Sequence, residues 1–550
     1  MKKLLILLVI AFVVMSCGGS KPSPDEIWYT TSDGMPIQHS GEDDFATFGA
    51  KILYNNYEDG KGVLVFDTPV TLVGDVAFSG CSNLTSVTLP DGVTSIGKDA
   101  FYYCSNLTSV TLPDGVTSIG DYAFAGCSSL TSVNIPAGVT SIRNKAFYDC
   151  TSLTSVNIPA GVTSIGERAF SGCRNLTSLT IPNSITSIGE DAFEGCTGEL
   201  TVNCNIPRST FFRTQFTKAT IGNGVTSIGD YAFGLCDSLT NVTIGNGVTS
   251  IGENAFTCCR SLTSITIPNS VTEIGEEAFT HCGSLTGVSL GNSVTSIGRC
   301  TFLGCESLTS IIIPDSVTQI GENAFDGCES LTSVSIGNGV TSIGESAFIC
   351  CSSLTNVSIG NGVTSIEKSA FDKCRSLTSI TIPDSVTEIG ETVFAGCDSL
   401  TSITIPNGVT EIKAGTFFEC KSLASITIPD SVTSIGKRAF YHCDSLAVIT
   451  IPDSVTEIGE EAFEWCESLT SITIPESVTE IGYRAFGLCT LLKEVYFKSI
   501  TPPGGASNAL DRNFAFYGKI YVPKESESAY KDRLSYTLYN LNNVVYGYDF

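Results

Sequence analysis

Histidine, tryptophan and methionine are scarce in this chain. Its 550 residues include three histidines (His39, His281 and His442), two tryptophans and three methionines. None of the histidines lies in a nucleophile motif, and no glycine-rich phosphate loop follows a predicted strand. No Cys-x-x-Cys pair recurs with histidine, as a zinc site would require. We therefore predict a protein that is not an enzyme and that uses neither a metal nor a cofactor.

Basic residues are also few, at 30 lysines and arginines against 56 acids, which gives a net charge of −26. Such a charge argues against nucleic acid or an anionic membrane surface as a direct partner. Glutamates recur after Val-Thr, at Glu273, Glu388, Glu411, Glu457 and Glu480. Stacked like charges require a solvated face, so solubility is the simplest explanation. Divalent cations are the alternative, but no spaced acidic loop of the calcium type is present.

Long hydrophobic runs are absent except at the N-terminus, where Leu4 to Val14 follows Lys2 and Lys3. A run of this length is too short to span a membrane and is typical of a secretory signal, here residues 1–16. The segment Val14-Met15-Ser16-Cys17-Gly18 resembles a bacterial lipoprotein cleavage box. The resemblance implies acylation of Cys17, with residues 17–25 as a tether. Ordinary secretion with a coincidental cysteine is the alternative.

What the sequence does contain is a repeat. Eighteen of its 23 cysteines fall on one 23-residue frame, from Cys81 to Cys196 and again from Cys236 to Cys489. A fixed period of this length indicates one small structural unit stacked many times, that is, a solenoid. The unbroken repeat favours one elongated domain with caps, whose function lies on a long surface.

The repeat from Ser261 to Cys282 shows the unit. Leu262, Ile265 and Ile267 alternate with polar residues, which predicts a half-buried strand that Pro268 ends. A second extended piece covers 271–274, Gly275 allows a tight bend, and 276–279 can form a short helical or 3₁₀ turn. Each repeat contributes about seven inward side chains, and stacking about 19 repeats makes these into a continuous core.

The Ile-Pro, Ile-Gly, Ala-Phe and Cys landmarks recur in the pattern LxxLxLPxxLxxIxxxAFxxC over about residues 70–495. This pattern resembles the leucine-rich repeats of BspA-like, Treponema-type bacterial surface antigens. The resemblance implies a right-handed β-rich leucine-rich-repeat solenoid with a parallel sheet on one side. It also implies export to the bacterial surface and a role in adhesion. No catalytic residues belong to the family pattern, so none is inferred here.

The cysteines of an exported protein ordinarily suggest disulfides. Here each framed cysteine follows phenylalanine by three and occupies a small apolar slot in every repeat, so we expect buried thiols. Disulfides remain the alternative for the off-frame residues Cys204, Cys258, Cys300 and Cys350.

The frame is irregular once and changes at both ends. Residues 197–220 read as a short repeat in which Phe211, Phe212 and Phe216 supply apolar bulk, with a non-repeating loop as the alternative. Three predicted strands make an N-terminal β cap of residues 26–70, ahead of a solenoid of residues 71–495. A strand at 518–523, a helical run at 525–532 and a tyrosine-rich tail predict a C-terminal cap of residues 496–550.

Two surfaces are candidates for function. The strands expose serine and threonine in nearly every repeat, which suits a β-sheet and also contact with peptides or glycans. The two positions after Ala-Phe vary most, and late repeats place Phe418, Tyr441, His442 and Trp465 there. An exposed aromatic row is a candidate ligand-binding surface, whereas drift at an unconstrained turn is the alternative.

The two resemblances together imply a lipid-anchored protein of the bacterial outer membrane and cell surface. We expect it to bind an extracellular protein or glycan in an adhesion-type role without catalysis. A structural or display scaffold with no specific ligand is the alternative.

Overall fold

A computed structural model of the chain describes residues 21–38, 44–510, 518–534 and 545–548. The chain divides into two compact units, Met1–Gly247 and Val248–Phe550. Each is a parallel β-solenoid, and together they contain about 20 turns of about 23 residues, which confirms the predicted fold class. The predicted signal peptide, Cys17 and His39 lie outside the described residues.

The first unit begins with antiparallel strands and continues with parallel ones. The Glu26–Thr31 strand pairs antiparallel with both Lys61–Phe66 and the first repeat strand, Leu84–Thr88, and Ile52–Glu58 pairs with Lys61–Phe66. The later strands of this ladder are Ser109–Thr111, Ser132–Asn134, Ser155–Asn157, Ser178–Ile181, Thr197–Val202, Gln215–Ile221 and Asn241–Ile244. A second ladder contains Leu72–Val73, Ser95–Ile96, Ser118–Ile119, Ser141–Ile142, Ser164–Ile165 and Ser187–Ile188, whereas the two-residue strand Ser227–Ile228 belongs to a separate sheet.

The second unit repeats both ladders. Its longer strands are Ser264–Thr266, Gly287–Ser289, Ser310–Ile313, Ser333–Ile336, Asn356–Ser358, Ser379–Thr381, Ser402–Thr404, Ser425–Thr427, Ser471–Ile474, Glu494–Phe497, Lys519–Pro523 and Val545–Tyr548, and the two-residue Val448–Ile449 pairs with Ser425–Thr427 in the same series. Its two-residue strands are Ser250–Ile251, Glu273–Ile274, Gln319–Ile320, Ser342–Ile343, Ser365–Ile366, Glu388–Ile389, Glu411–Ile412, Ser434–Ile435, Glu457–Ile458 and Glu480–Ile481. Equivalent residues pair across turns, as Ile311 does with Val334, so the repeat and the sheet register coincide.

Within the described chain, helix is confined to short segments near its two ends, outside the stacked repeats. The α-helices are Asp44–Phe48, Ala506–Ala509 and Glu527–Leu534, and Lys524–Ser526 is a 3₁₀ helix. In the repeat ending at Cys282 the predicted helical turn is a pair of hydrogen-bonded turns. Left-handed backbone at Glu277 and His281, with φ of 57° at both, prevents its growth into a helix.

The core consists of ladders of identical side chains. Leu262, Phe279 and Cys282 are fully buried, and so is Ala278 between them. Phenylalanine rings stack along each unit. Those of Phe325 and Phe348 are 5.0 Å apart at 1°. Because no turn buries these groups alone, neighbouring turns stabilise one another.

Gly275 is required by close packing between turns. A Cβ at Gly275 would lie 2.5 Å from the backbone nitrogen of Glu253 in the preceding turn. Its φ is not among the positive ones, so the bend predicted from the sequence is not the reason for glycine here. The Ile-Gly landmark of the repeat therefore marks the place where two backbones touch.

The irregular segment forms a shortened turn. Phe211 stacks between Phe193 and Phe233 in the phenylalanine ladder, and Thr214 takes the cysteine position beside Cys236. The second strand shrinks to a single bridge between Ile206 and Ile228. The ladders thus continue through this turn although part of the repeat is missing.

Candidate functional site

The variable positions after Ala-Phe lie on a rigid backbone. In the turn ending at Cys443 the residue just before the cysteine, His442, has a φ of 56°, and Trp465 in the next turn has a φ of 65°. The amide of His442 donates to the carbonyl oxygen of Glu464 at 2.9 Å, which ties the two turns together. Since every turn repeats this geometry, side chains at the same position face one another one turn apart.

Phe418, Tyr441, His442 and Trp465 form one continuous set of rings, here called the aromatic row. The rings of Phe418 and Tyr441 are 5.0 Å apart at 4°, and those of His442 and Trp465 are 4.9 Å apart at 8°. Tyr441 meets His442 edge-on at 4.9 Å. All four side chains are half-buried, because the rings cover part of one another. The structure therefore brings together the four residues that the sequence pattern singled out.

Opposite charges flank the aromatic row. The guanidinium of Arg438 lies 5.5 Å from the ring centre of Tyr441, within the range of a cation–π contact. Its Nε also pairs with the carboxylate of Glu461 in the next turn. This pairing holds Arg438 against the ring of Tyr441, in the middle of the row.

Glu464 is a buried acid beneath the same surface. It is only 4% exposed, and Arg484 approaches its Oε1 to 3.5 Å. Burial, with the nearby charge of Glu461, raises the pKa of Glu464, and Arg484 opposes that rise. Glu464 occupies the same position as Tyr441 one turn earlier. This position therefore accepts a buried side chain as readily as a half-buried ring.

His442 has a polar partner as well as two ring neighbours. Its Nδ1 lies 3.1 Å from Oδ1 of Asp444, and because a carboxylate only accepts hydrogen bonds, this contact requires the hydrogen of the imidazole to be on Nδ1. Asp444 thereby orients the ring against Trp465. Asp444 thus holds the imidazole of His442 by a polar contact at its edge, and Trp465 holds it by stacking on its face.

The serine and threonine positions divide into two groups. Ser264 and Thr266 on the strand are exposed, as expected from the alternation. Other threonines have a structural role. Thr286 donates its hydroxyl to the carbonyl oxygen of Thr263 at 3.0 Å, and Thr309 donates to Thr286 at 3.1 Å. Hydrogen bonds of this kind between turns explain why many of the threonines recur, with no need for a bound ligand.

The remaining predicted residues lie apart from the aromatic row. His281 packs over Gly304, where a Cβ would come within 2.4 Å of its Nδ1.

Among the residues that the structure describes, no group of three histidine, cysteine or acidic side chains could hold a metal ion. In that same part of the chain, none of the helices is both long and apolar enough to span a bilayer.

The charged residues around the row were missed at the sequence level, although a signal for them exists. Arg438 and Glu461 occupy the same position in successive repeats, just before Ala-Phe, and carry opposite charges. Comparison of one repeat with the next, rather than with the consensus, would have predicted this pair.

Comparison with known proteins agrees with the fold. The model of the BspA-type leucine-rich-repeat region matches residues 71–199, 204–302, 272–400 and 387–502. No curated protein sequence matches the chain. A leucine-rich-repeat protein from Bacteroides ovatus is 26% identical over 84% of this chain and 94% of its own, with a TM-score of 0.33. A leucine-rich cell-surface protein from Faecalibacterium prausnitzii is 30% identical over 62% of this chain and 94% of its own, with a TM-score of 0.28.

A third structure similar to this chain is that of the pneumococcal vaccine antigen PcpA. It is 17% identical over 77% of this chain and 94% of its own, with a TM-score of 0.34. The family model alone matches well over half of the sequence, in the same residues that form the stacked turns. The chain is a member of the BspA-type leucine-rich-repeat family.

Proposed function

We propose that this protein is exported, anchored to the bacterial surface through lipid on Cys17, and binds an extracellular protein or glycan by its aromatic row. The observation that carries the proposal is the continuous stack of Phe418, Tyr441, His442 and Trp465 on three successive turns. Half-buried aromatic side chains held in a fixed geometry can contribute contact area at little entropic cost.

Export is supported by the family. The similar protein from Faecalibacterium prausnitzii is named as a cell-surface protein. A leucine-rich-repeat solenoid is typically a non-catalytic binding scaffold, which supports binding rather than catalysis for this chain. The alternative is a display scaffold without a specific ligand, in which the rings only stabilise the turns.

A double variant of the full chain, Tyr441→Ser with Trp465→Ser, separates these two functions. Partners are first sought with the unaltered chain on arrays of host extracellular proteins and of glycans. We expect the variant to bind the partner at least tenfold more weakly, which corresponds to about 1.4 kcal/mol. Unchanged affinity in the variant would overturn the assignment of binding to the aromatic row.

The matched control is Tyr148→Ser with Tyr103→Ser. These tyrosines occupy the same two positions in early repeats, where they are not part of the aromatic row. We expect the control to lose a similar small amount of stability and to keep its affinity. Equal loss of binding in both variants would mean that binding depends on general stability and not on the row.

A further inference from the structure

A second aromatic surface lies on the strand side of the C-terminal sheet. Its parallel strands are Ser471–Ile474, Glu494–Phe497, Lys519–Pro523 and Val545–Tyr548. The outward position that holds Thr473 in the first strand holds Tyr496, Tyr521 and Tyr546 in the next three, in register. The hydroxyl face of the repeats is therefore replaced here by a tyrosine face.

Four rings make up this surface, which we call the tyrosine platform: Tyr496, Tyr521, Tyr546 and Tyr548. Tyr496 and Tyr521 stack at 4.5 Å and 10°, and Tyr546 lies 6.0 Å from Tyr521. Tyr548 meets both Tyr496 and Tyr521 edge-on, at 5.8 and 5.7 Å. Each ring is thus held by at least one other ring, and the platform is preorganised.

The platform also carries an acceptor and a donor. The carboxylate of Glu494 accepts a hydrogen bond from the hydroxyl of Tyr496 at 3.1 Å and a longer one from Tyr521 at 3.5 Å. Lys519, which pairs with Glu494 in the sheet, places its ammonium 6.0 Å from the ring centre of Tyr546. Apolar ring surface and hydrogen-bonding groups of both kinds lie side by side.

These rings do not belong to the core. The inward residues of the same strands are Val495, Phe497, Ile520 and Val522, and they are all buried. By contrast, Tyr546 is 39% exposed and Tyr548 is 45% exposed. The repeats use serine and threonine at these outward positions, so a solenoid strand does not need tyrosine there to form.

The exposed area is small. A tyrosine presents roughly 200 Å², so these fractions leave under about 100 Å² on each of the two outermost rings. A stable protein interface takes about 800 Å² from each partner, which is well beyond what the platform offers. The area instead suits one or two sugar rings.

We propose that the tyrosine platform binds a neutral pyranose glycan. One face of a pyranose ring carries C–H groups, whose positive hydrogens are attracted to the negative face of a tyrosine ring. Its hydroxyls both donate and accept hydrogen bonds, which matches Glu494, Lys519 and the tyrosine hydroxyls. The net charge of −26 disfavours polyanionic sugars. This inference does not rest on the aromatic row, which lies in the turns and not on the strands.

The test uses the full chain and four defined probes: maltotetraose, cellotetraose, mannotetraose and lacto-N-tetraose. Saturation-transfer NMR reports whether protons on one face of a sugar ring contact the protein. We expect such contacts with at least one probe. We also expect the Tyr546→Ser, Tyr548→Ser double variant to bind the sugar at least tenfold more weakly. The Tyr546→Phe variant keeps the ring, so its affinity for the sugar should fall by less than about threefold. No contact with any probe, or unchanged binding in the double variant, would overturn the proposal.

A second measurement needs no variant. Nitration of the exposed tyrosines, mapped by mass spectrometry, should be slowed at Tyr546 and Tyr548 by the bound sugar and unaffected at Tyr103.

The Tyr441→Ser, Trp465→Ser variant should bind the sugar normally, so that failure of the aromatic row and failure of the platform are told apart. Sugar binding lost in that variant but kept in the Tyr546→Ser, Tyr548→Ser variant would place the sugar on the aromatic row instead. A host protein bound through Tyr546 and Tyr548, with no sugar bound, would also contradict the proposal.

Discussion

The thiol of Cys351 donates to the main-chain oxygen of Phe325 in the preceding turn at 3.3 Å. The same contact recurs along both units, for instance from Cys127 to Phe101 at 3.1 Å and from Cys466 to Phe440 at 3.3 Å. A buried cysteine therefore fills a small apolar position and also provides a weak donor. This double role explains why cysteine, and not alanine, recurs at that position.

Replacement of a stacked phenylalanine tests the core. Phe325 is fully buried between Phe302 and Phe348, so Phe325→Ala should cost roughly 3–5 kcal/mol in the stability of its own and adjacent turns. Hydrogen exchange measures that loss locally. Glu329→Ala, at an exposed position nearby, is the control and should stay within about 0.5 kcal/mol. Equal effects from the two changes would contradict the inward placement of Phe325.

The thiols should be free. None of the 22 cysteines among the described residues forms a disulfide, and this includes the off-frame Cys204, Cys258, Cys300 and Cys350. Alkylation in denaturant without reductant should therefore label them all, as counted by mass spectrometry. Labelling that appears only after reduction would reveal disulfides, and the protected positions would identify which turns are linked.

Stability should fall at alkaline pH. Burial raises the pKa of the thiols of Cys127 and Cys282 to about 12, and that of Cys81 to about 11. Unfolded thiols ionise near pH 8.5, so between about pH 9 and 12 the unfolded chain holds fewer protons than the native one. The free energy of unfolding then falls as pH rises, by up to about 1.4 kcal/mol per pH unit for each such thiol.

Urea denaturation with reductant present, at pH 8, 9.5 and 10.5, measures this dependence. Thiolate absorbance near 240 nm should appear only on unfolding. The Cys282→Ala variant removes one titrating group and should show a shallower decline with pH. A midpoint that does not move between pH 8 and 10.5 would show that the native thiols ionise as easily as the unfolded ones.

The proposed lipid anchor depends on one residue. Cys17→Ala should abolish acylation and release the protein from the membrane fraction, because several acyl chains provide the proposed attachment. Detergent partitioning of variant and unaltered chain measures the effect, and Ser16→Ala, which keeps the cysteine, is the control. Unchanged partitioning of Cys17→Ala would rule out the lipoprotein assignment.

In the turn that ends at Cys282, the local hydrogen bonding follows from the repeat pattern, whereas the backbone conformation does not. The sequence predicts a short helical or 3₁₀ turn at 276–279, and hydrogen-bonded turns are present there, with the Thr280 amide donating to the Glu277 oxygen at 3.1 Å and the Cys282 amide to the Phe279 oxygen at 3.3 Å. The left-handed backbone at Glu277 and His281 was not predicted, because positive φ is uncommon in residues other than glycine, even in histidine, which adopts it more often than most. The stacked turns impose that conformation through the bonds that join one turn to the next.

The sequence by itself determined the period, the inward side chains and the stacking of turns. Each inward position recurs at one spacing, and only a stacked arrangement buries all of them, as the burial of Leu262, Phe279 and Cys282 illustrates. It also placed Phe418, Tyr441, His442 and Trp465 on successive turns, because register follows from the period.

Only the tertiary structure decided how neighbouring side chains share each surface. Glu464 and Tyr441 occupy equivalent positions, yet one is buried beside Arg484 and the other stacks on Phe418. Tyr496 lies on the 23-residue frame, one period after Thr473, but Tyr521 and Tyr546 lie off it, so the frame did not predict that the three tyrosines align. Side-chain neighbours across a solenoid are set by strand pairing, and that pairing brings together residues far apart in the chain.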